Sequence, residues 1–164
     1  MNELRDNSDV GELIQYIVIK IDDEQYGINI KFIDNIVRMQ QITRVPKVDD
    51  YLKGVINIRG EIVPVMSVRM KMGLAEDEIT NKSRIIILKT DAGDLVGIIV
   101  DQVNQVLTLD SNNVEKMRYD DKNKKSNASF VSGVGHYDGG LVSILDLDAV
   151  VSEKDVKETA ASAS

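Results

Sequence analysis

The 164 residues contain no cysteine, no tryptophan and a single histidine. Without cysteine there are no disulfides, no thiolate metal ligands and no thiol nucleophile, which fits a reducing cytoplasm. Aromatic residues make up only 4% of the chain, too few for a base-stacking platform. Nor is there a basic excess. Lys and Arg number 20 against 27 Asp and Glu, so the net charge of −7 repels phosphate backbones and anionic lipid surfaces, and no nucleic-acid partner is expected. Long apolar runs are missing as well. Stretches such as Ile85 to Leu88 and Leu95 to Val100 are strand-sized, far short of the roughly 20 residues that span a bilayer, so no direct membrane insertion is expected. The start, Met1-Asn2-Glu3-Leu4-Arg5-Asp6, has no basic-apolar-small order, and no secretory signal is expected. Neither Gly-x-Gly-x-x-Gly nor Gly-x-x-x-x-Gly-Lys-[Ser/Thr] occurs, which argues against kinase or ATPase chemistry.

What is present is a globular share of apolar residues, 43%, rich in Val and Ile. β-Branched segments at Ile14–Ile21, Val55–Ile58, Ile62–Met66, Arg84–Lys89, Leu95–Val100 and Leu141–Leu145 read as antiparallel strands. Hairpin turns are signalled by Asp22-Asp23-Glu24 before Tyr26–Ile30, by Arg59-Gly60, by Asp91-Ala92-Gly93-Asp94 and by Asp138-Gly139-Gly140. Pro64 places its strand at a sheet edge or beside a bulge. The spacing of Ile30, Ile33, Ile36 and Val37 suits a short helix, as does Val48–Lys53 after Pro46, and Asp146 is a candidate N-cap for a last turn ending at Val151. Residues 1–12 and 153–164 read as flexible tails around one domain over 13–152. The apolar-free stretch 120–127 reads as a mobile loop that separates the strands before it from those after it. The two halves echo each other only loosely, as apolar segments followed by glycine-containing hairpins.

Chemistry is thinly represented. His136 has no second His or Cys to complete a zinc site, and it reads as a strand-end residue. Asp146 and Asp148 are explained by capping and solvation. Asp22-Asp23-Glu24 lacks the alternating ligands and central Gly of a calcium loop. Lys122, Lys124 and Lys125 are partly cancelled by Asp120 and Asp121. No catalytic residue, cofactor or metal is expected. Met39, Met66, Met70 and Met72 suit either an adaptable surface or core filling. More informative is Lys53-Gly54-Val55-Ile56-Asn57-Ile58-Arg59-Gly60-Glu61-Ile62-Val63-Pro64, a hairpin that presents Arg59 at its tip, where a guanidinium is suited to anchor an interface.

This segment resembles the signature of the CheW-like adaptor family of bacterial chemotaxis, and the resemblance runs over nearly all of Leu13 to Val151. In order it takes in Gln15–Ile19, Asp23–Ile30, Thr43-Arg44-Val45-Pro46, Lys53–Pro64, Gly97–Asp101 leading to Val103, Val106 and Leu107, then Phe130–Gly135 and Leu141–Leu147. The resemblance implies an all-β fold of two SH3-like five-stranded β-barrel subdomains sharing a hydrophobic core, with a few short helices. It also implies a non-catalytic cytoplasmic adaptor, associated with membrane-bound chemoreceptor arrays. Such an adaptor binds the regulatory domain of the histidine kinase CheA and the cytoplasmic tips of chemoreceptors, so that receptor state shifts kinase activity.

Carried over residue by residue, the resemblance places receptor contacts at Ile33, Arg59, Val103 and Val106, with Asn35, Lys53, Gly54 and Asn57 nearby; the kinase-binding residues stay unassigned. For Ile33, Val103 and Val106 the alternative is core burial, and for Gly54 it is a backbone requirement. The chain departs from the family pattern at Asn35, where an acidic residue is common, and at Ser67, where Asp is usual. Two other readings stand beside this one. One is a small β-barrel enzyme or ligand-binding sensor with a pocket between the barrels. The other is a CheW-like scaffold of a chemosensory pathway other than motility.

Overall fold

The computed structural model describes residues 11–117, 130–152, 155–157 and 159. Strands β1 (Leu13–Ile21) and β2 (Glu24–Asn29) open the chain. They are followed by β3 (Ile33–Arg38), β4 (Leu52–Ile58), β5 (Glu61–Ser67), the one-turn helix α1 (Val68–Lys71), β6 (Arg84–Lys89) and β7 (Leu95–Val100). Then come β8 (Gln102–Asp110), β9 (Val114–Lys116), β10 (Val131–Tyr137), β11 (Gly140–Leu145) and the short helix α2 (Leu147–Val150). The strands form a six-stranded sheet in the order β8-β1-β2-β11-β10-β9 and a five-stranded sheet in the order β3-β6-β7-β5-β4. The sixth strand of the first sheet is the three-residue β9.

Two-sided apolar strands explain this architecture. Along β6, Ile85 and Ile87 point to one face and Ile86 and Leu88 to the other, and all four are buried. Ile85 and Ile87 join Ile56, Val63, Val65 and Ile99 in a cluster whose buried members all come from the five-stranded sheet. A sheet buries such a face without help from a second sheet only by curling over it. Tyr16, Val18, Leu109, Val142 and Ile144 form the corresponding cluster inside the six-stranded sheet. The opposite faces meet in a third cluster, where Ile17, Ile19, Ile21 and Ile28 of one sheet pack with Met66, Ile86, Leu88, Ile98 and Val100 of the other. The result is two barrel subdomains sharing a core.

The loose sequence echo has a structural counterpart. Hairpins β1-β2 and β10-β11 are joined by parallel pairing of their second strands, β2 with β11, and hairpins β4-β5 and β6-β7 are joined the same way through β5 and β7. Each of β5 and β11 runs into a one-turn helix. Ser67 Oγ caps α1 by accepting from the Met70 N–H at 3.1 Å, and Asp146 Oδ1 caps α2 by accepting from the Ala149 N–H at 3.4 Å, as its position in the sequence suggests.

Several sequence expectations are corrected. Ile30–Phe32 is a single 3-10 turn, and Ile33–Val37 is strand rather than helix. The helix-like spacing comes from a β-bulge: Ile33 faces Leu88 and Asn35 faces Ile87, so Asp34 is the extra residue. One inserted residue turns the strand period of two into three, and Ile33 and Ile36 both pack on the shared core. Val48–Lys53 is not helical either. Lys47 takes a positive φ of 61°, a turn bonds the Leu52 N–H to the Asp49 carbonyl at 2.9 Å, and β4 starts at Leu52. Pro64 lies not on an edge but on an inner strand, β5, and it does sit beside a bulge, the one at Lys53 of β4, as the other half of the expectation has it. Its missing N–H costs no ladder bond, because the parallel pairing with β7 starts only at Val65. The strands before 120–127 do not form a separate unit, since β1, β2 and β8 share a sheet with β10 and β11. The 120–127 stretch itself, with Lys122, Lys124 and Lys125, lies outside the described residues.

The sequence reading also put Asp155 in a solvated tail. In the structure it is 3% exposed and tied into the fold. Its carboxylate accepts from Lys71 Nζ at 2.6 Å and from the Tyr51 hydroxyl at 2.6 Å, while Lys71 also donates to the Val150 carbonyl at 2.7 Å. Burial pushes the Asp155 pKa up, but the bonds from Lys71, Tyr51 and Ser152 outweigh it and hold the group below the ordinary carboxylate value. Burial and the Asp155 bond likewise raise the Tyr51 pKa. On the other flank of α1, Arg69 donates to Asp101 Oδ2 at 2.8 Å and lies 3.7 Å from Asp22, and the Asp22 N–H donates to the same Asp101 oxygen at 2.8 Å. One helical turn of the five-stranded subdomain therefore grips both the β1-β2 turn and the C-terminal segment.

Asp155→Ala strands a buried ammonium and is expected to cost about 3 kcal/mol in urea unfolding at pH 7. Because the folded pKa is lowered, the stabilisation is complete above the unfolded carboxylate pKa of about 4 and is lost as pH falls through the folded value. The gap between wild type and Asp155→Ala therefore narrows on acidification from pH 6 to pH 3, and a gap independent of pH contradicts the assignment.

Candidate functional site

Four of the eight candidate residues lie on two edge strands that carry the same device. β3 is an edge of the five-stranded sheet and β8 an edge of the six-stranded one. In β8, Val18 faces Gln105 and Ile19 faces Val103, so Asn104 is a bulged extra residue, as Asp34 is in β3. The bulge sets Val103 and Val106, three apart in sequence, opposite Ile19 and Ile17, which both belong to the shared core. Ile33, Ile36 and Val103 pack against that core while half-buried, and Val106 remains 53% exposed. Core burial and surface display thus coexist: each of the two bulged edges carries aliphatic side chains that reach from the shared core toward the surface. Asn35 is exposed on β3, and its side-chain oxygen accepts from the Ile36 N–H at 2.8 Å.

Arg59 sits at the tip of the β4-β5 hairpin. Its φ of 52° and the 86° of Gly60 make a two-residue turn with both residues left-handed, the geometry whose twist matches antiparallel strands. Asn57 fixes the turn, its side-chain oxygen accepting from the Gly60 N–H at 3.0 Å. The Arg59 side chain is 72% exposed and reaches the bulged Asp34 at 3.2 Å. An exposed ion pair of this kind is worth at most about 1 kcal/mol, so it orients the guanidinium more than it stabilises the fold. Asp34 is the member that sequence reasoning missed. Its only signal is an acidic residue set between two isoleucines of an apparent helix face.

Lys53 and Gly54 lie at the opposite end of β4, about 20 Å from Arg59 at strand rise. Lys53 is the bulged residue there, with its ammonium 3.2 Å from Glu76 Oε1 and 3.7 Å from Met70 Sδ. Gly54 has a φ of 138°, and a Cβ built on it would lie 2.1 Å from the Thr43 carbonyl oxygen. That carbonyl accepts from the Val55 N–H at 2.9 Å, so the Thr43 backbone is pinned against β4. The structure thus brings Arg59 to Asp34, the chain neighbour of Ile33, places Val103 and Val106 on an edge of the other sheet, and leaves Lys53 and Gly54 apart. Nearby, Ser67 caps α1. It is fully buried and donates its hydroxyl to the Asp77 carboxylate, whose pKa is raised by burial.

An open cleft of about 640 Å³ lies elsewhere, lined by Tyr16, Phe32, Val96, Ile144 and Val151 with Lys31, Asp91 and Asp146 at its polar margin. Among the described residues, no group of three or more His, Cys, Asp or Glu side chains is placed to hold a metal ion. No helix among them is long and apolar enough to cross a membrane.

Residues 15–155 match the family model of the CheW-like domain. The chain belongs to the CheW-like family. It is 34% identical to chemotaxis protein CheW of Bacillus subtilis (strain 168) over 138 residues, covering 84% of this chain and 86% of the relative. With chemotaxis protein CheW of Thermotoga maritima it shares 33% identity over 145 residues, 88% and 91% of the two chains. Among solved structures, the scaffolding protein TtCheW of Thermoanaerobacter tengcongensis superimposes with a TM-score of 0.73 at 28% identity, over 83% of this chain and 86% of that one. The two-subdomain all-β architecture is accordingly that of a CheW scaffold.

Gly54→Ala separates backbone need from partner contact at this position. It is expected to lose more than about 3 kcal/mol in chemical denaturation, because the added methyl meets a pinned backbone carbonyl at a positive φ. Gly60→Ala, with open space around its Cβ position, is expected to lose about 1 kcal/mol. Equal losses at the two sites overturn this reading of Gly54.

Proposed function

We propose that this chain is a non-catalytic cytoplasmic adaptor that couples the cytoplasmic tips of membrane-bound chemoreceptors to the histidine kinase CheA, binding the regulatory domain of the kinase. The observation that carries the reading is the conjunction of family membership with the aliphatic side chains that two bulged edges, β3 and β8, each bring out over one shared core. Ile33, Val103 and Val106 offer the apolar stripe that an amphipathic helical tip needs, and Arg59 stands beside it on a rigid turn to set register. Asn35 is exposed on β3 but faces Ile87, on the side of the sheet opposite to Ile33 and Leu88, and so stands outside the apolar stripe. The separation of Lys53 from Arg59 supports a receptor contact built mainly from β3, β8 and the hairpin tip. The reading of an enzyme or ligand-binding sensor is not favoured, since CheW-like chains are scaffolds. A CheW-like scaffold of a non-motility pathway uses the same surfaces and differs only in the receptors it meets.

The test is calorimetric binding of the purified chain to a receptor-tip fragment and to a CheA regulatory domain at moderate salt. Both are expected to bind, and absence of association with either one overturns the proposal. Arg59→Ala is expected to weaken the receptor-tip complex about tenfold, leave the kinase-domain affinity intact and change stability by about 0.5 kcal/mol or less. A large fall in Tm instead makes Arg59 a structural residue.

A further inference from the structure

Two arginines face each other where a sheet ordinarily avoids like charges. Arg38 ends β3 and Arg84 begins β6, and the two are direct cross-strand partners. Their Cβ atoms are therefore about 5 Å apart, close enough for like charges to destabilise the pair. Neither forms an ion pair among the described residues. Arg84 is held in place by carbonyls: its Nη1 donates to the Asn81 and Ser83 oxygens, both at 2.8 Å. Arg38 is exposed and makes no such bond.

Both arginines line an open depression of about 410 Å³ that Met39, Thr80, Asn81 and Ser83 complete. Its side chains are rich in donors. The Thr80 hydroxyl oxygen already accepts from the Lys82 N–H at 3.1 Å, and the Ser83 hydroxyl oxygen from the Thr80 N–H at 2.9 Å, which leaves both O–H groups to donate. No carboxylate is among the lining residues. In a chain of net charge −7, this is a local reversal of the overall field.

We propose that Arg38 and Arg84 form an oxyanion-binding site, built to take a carboxylate or phosphate group of up to two negative charges between the guanidinium forks. A bound anion turns the repulsion between the arginines into attraction, with the Thr80 and Asn81 side chains as further donors. The site shares the face of β3 that carries Ile36, and at strand rise it lies about 15 Å from Ile33. An elongated partner lying along β3 therefore reaches both, but the site's chemistry does not depend on the identity of that partner.

The experiment is an amide NMR titration of the full chain at pH 7 with sodium phosphate, compared with sodium chloride at matched ionic strength. A second arm uses a hexaglutamate peptide. Saturable shifts confined to residues 38–39 and 80–84, absent with chloride and lost in Arg38→Gln, are expected. Arg38→Gln without added anion should melt at or above the wild-type Tm, and phosphate should raise the Tm of the wild type only. Shifts that are scattered, unsaturable or unchanged in Arg38→Gln overturn the proposal, as does an Arg38→Gln variant that unfolds more readily than wild type in the absence of anion. Whichever probe saturates at the lower concentration assigns the source, a free phosphate or the acidic side chains of a partner.

Discussion

The fold depends on strands that are apolar on both faces. A half-buried antiparallel sheet shows one polar face to water, but β1, β6 and β7 have none to show. Ile85 and Ile86 are both fully buried, and on opposite faces. Each such side chain contributes about 1.5 to 3 kcal/mol when taken out of water, so neither face is left exposed cheaply. Curling buries the inner faces, and docking the barrels buries the outer ones. The shared core is therefore what allows either subdomain to hold such strands.

Apolar packing alone is a weak determinant of orientation, since oil-like faces slide more readily than hydrogen-bonded ones break. Here the orientation is set by a single helical turn. Arg69 and Lys71 project from α1 toward opposite neighbours, Arg69 to Asp101 and Asp22 and Lys71 to Asp155 and the Val150 carbonyl. Both side chains are only 14% exposed, so their charges are poorly screened and their geometry is directional. The cap on this turn, Ser67, is itself buried and bonded to Asp77. A substitution that breaks the turn therefore loosens contacts on both of its flanks.

Strands were the legible part of the sequence because their signal is local. Arg84–Lys89 and Leu95–Val100 read to the residue, since unbroken β-branched runs bounded by turn residues leave little alternative. The candidate residues are named by family resemblance alone, and their geometry was not legible in the sequence. Bulges convert a strand into something with the spacing of a helix, and nothing in Ile33-Asp34-Asn35-Ile36 distinguishes the two without the partner strand. The folded character of Asp155 was hidden for a different reason. A lone carboxylate in a polar stretch is ordered by Lys71 and Tyr51, 84 and 104 residues earlier in the chain, and no local pattern encodes such a bond.

Edges and bulges also explain how this fold acquires a specific surface. An open edge strand is a template for indiscriminate pairing, and β3, β4 and β8 are all edges. Each carries a bulge, at Asp34, Lys53 and Asn104, and each bulged residue is polar or charged. The insertion breaks the regular ladder that another strand needs and rotates the following residues onto a common face. On β3 and β8 that face lies over the shared core, so the change that discourages strand addition also sets Ile33, Val103 and Val106 opposite Leu88, Ile19 and Ile17 of that core, with Val106 left exposed. Protection of the edge and display of these aliphatic side chains are then one structural event, and removing the bulge from either strand disturbs both together.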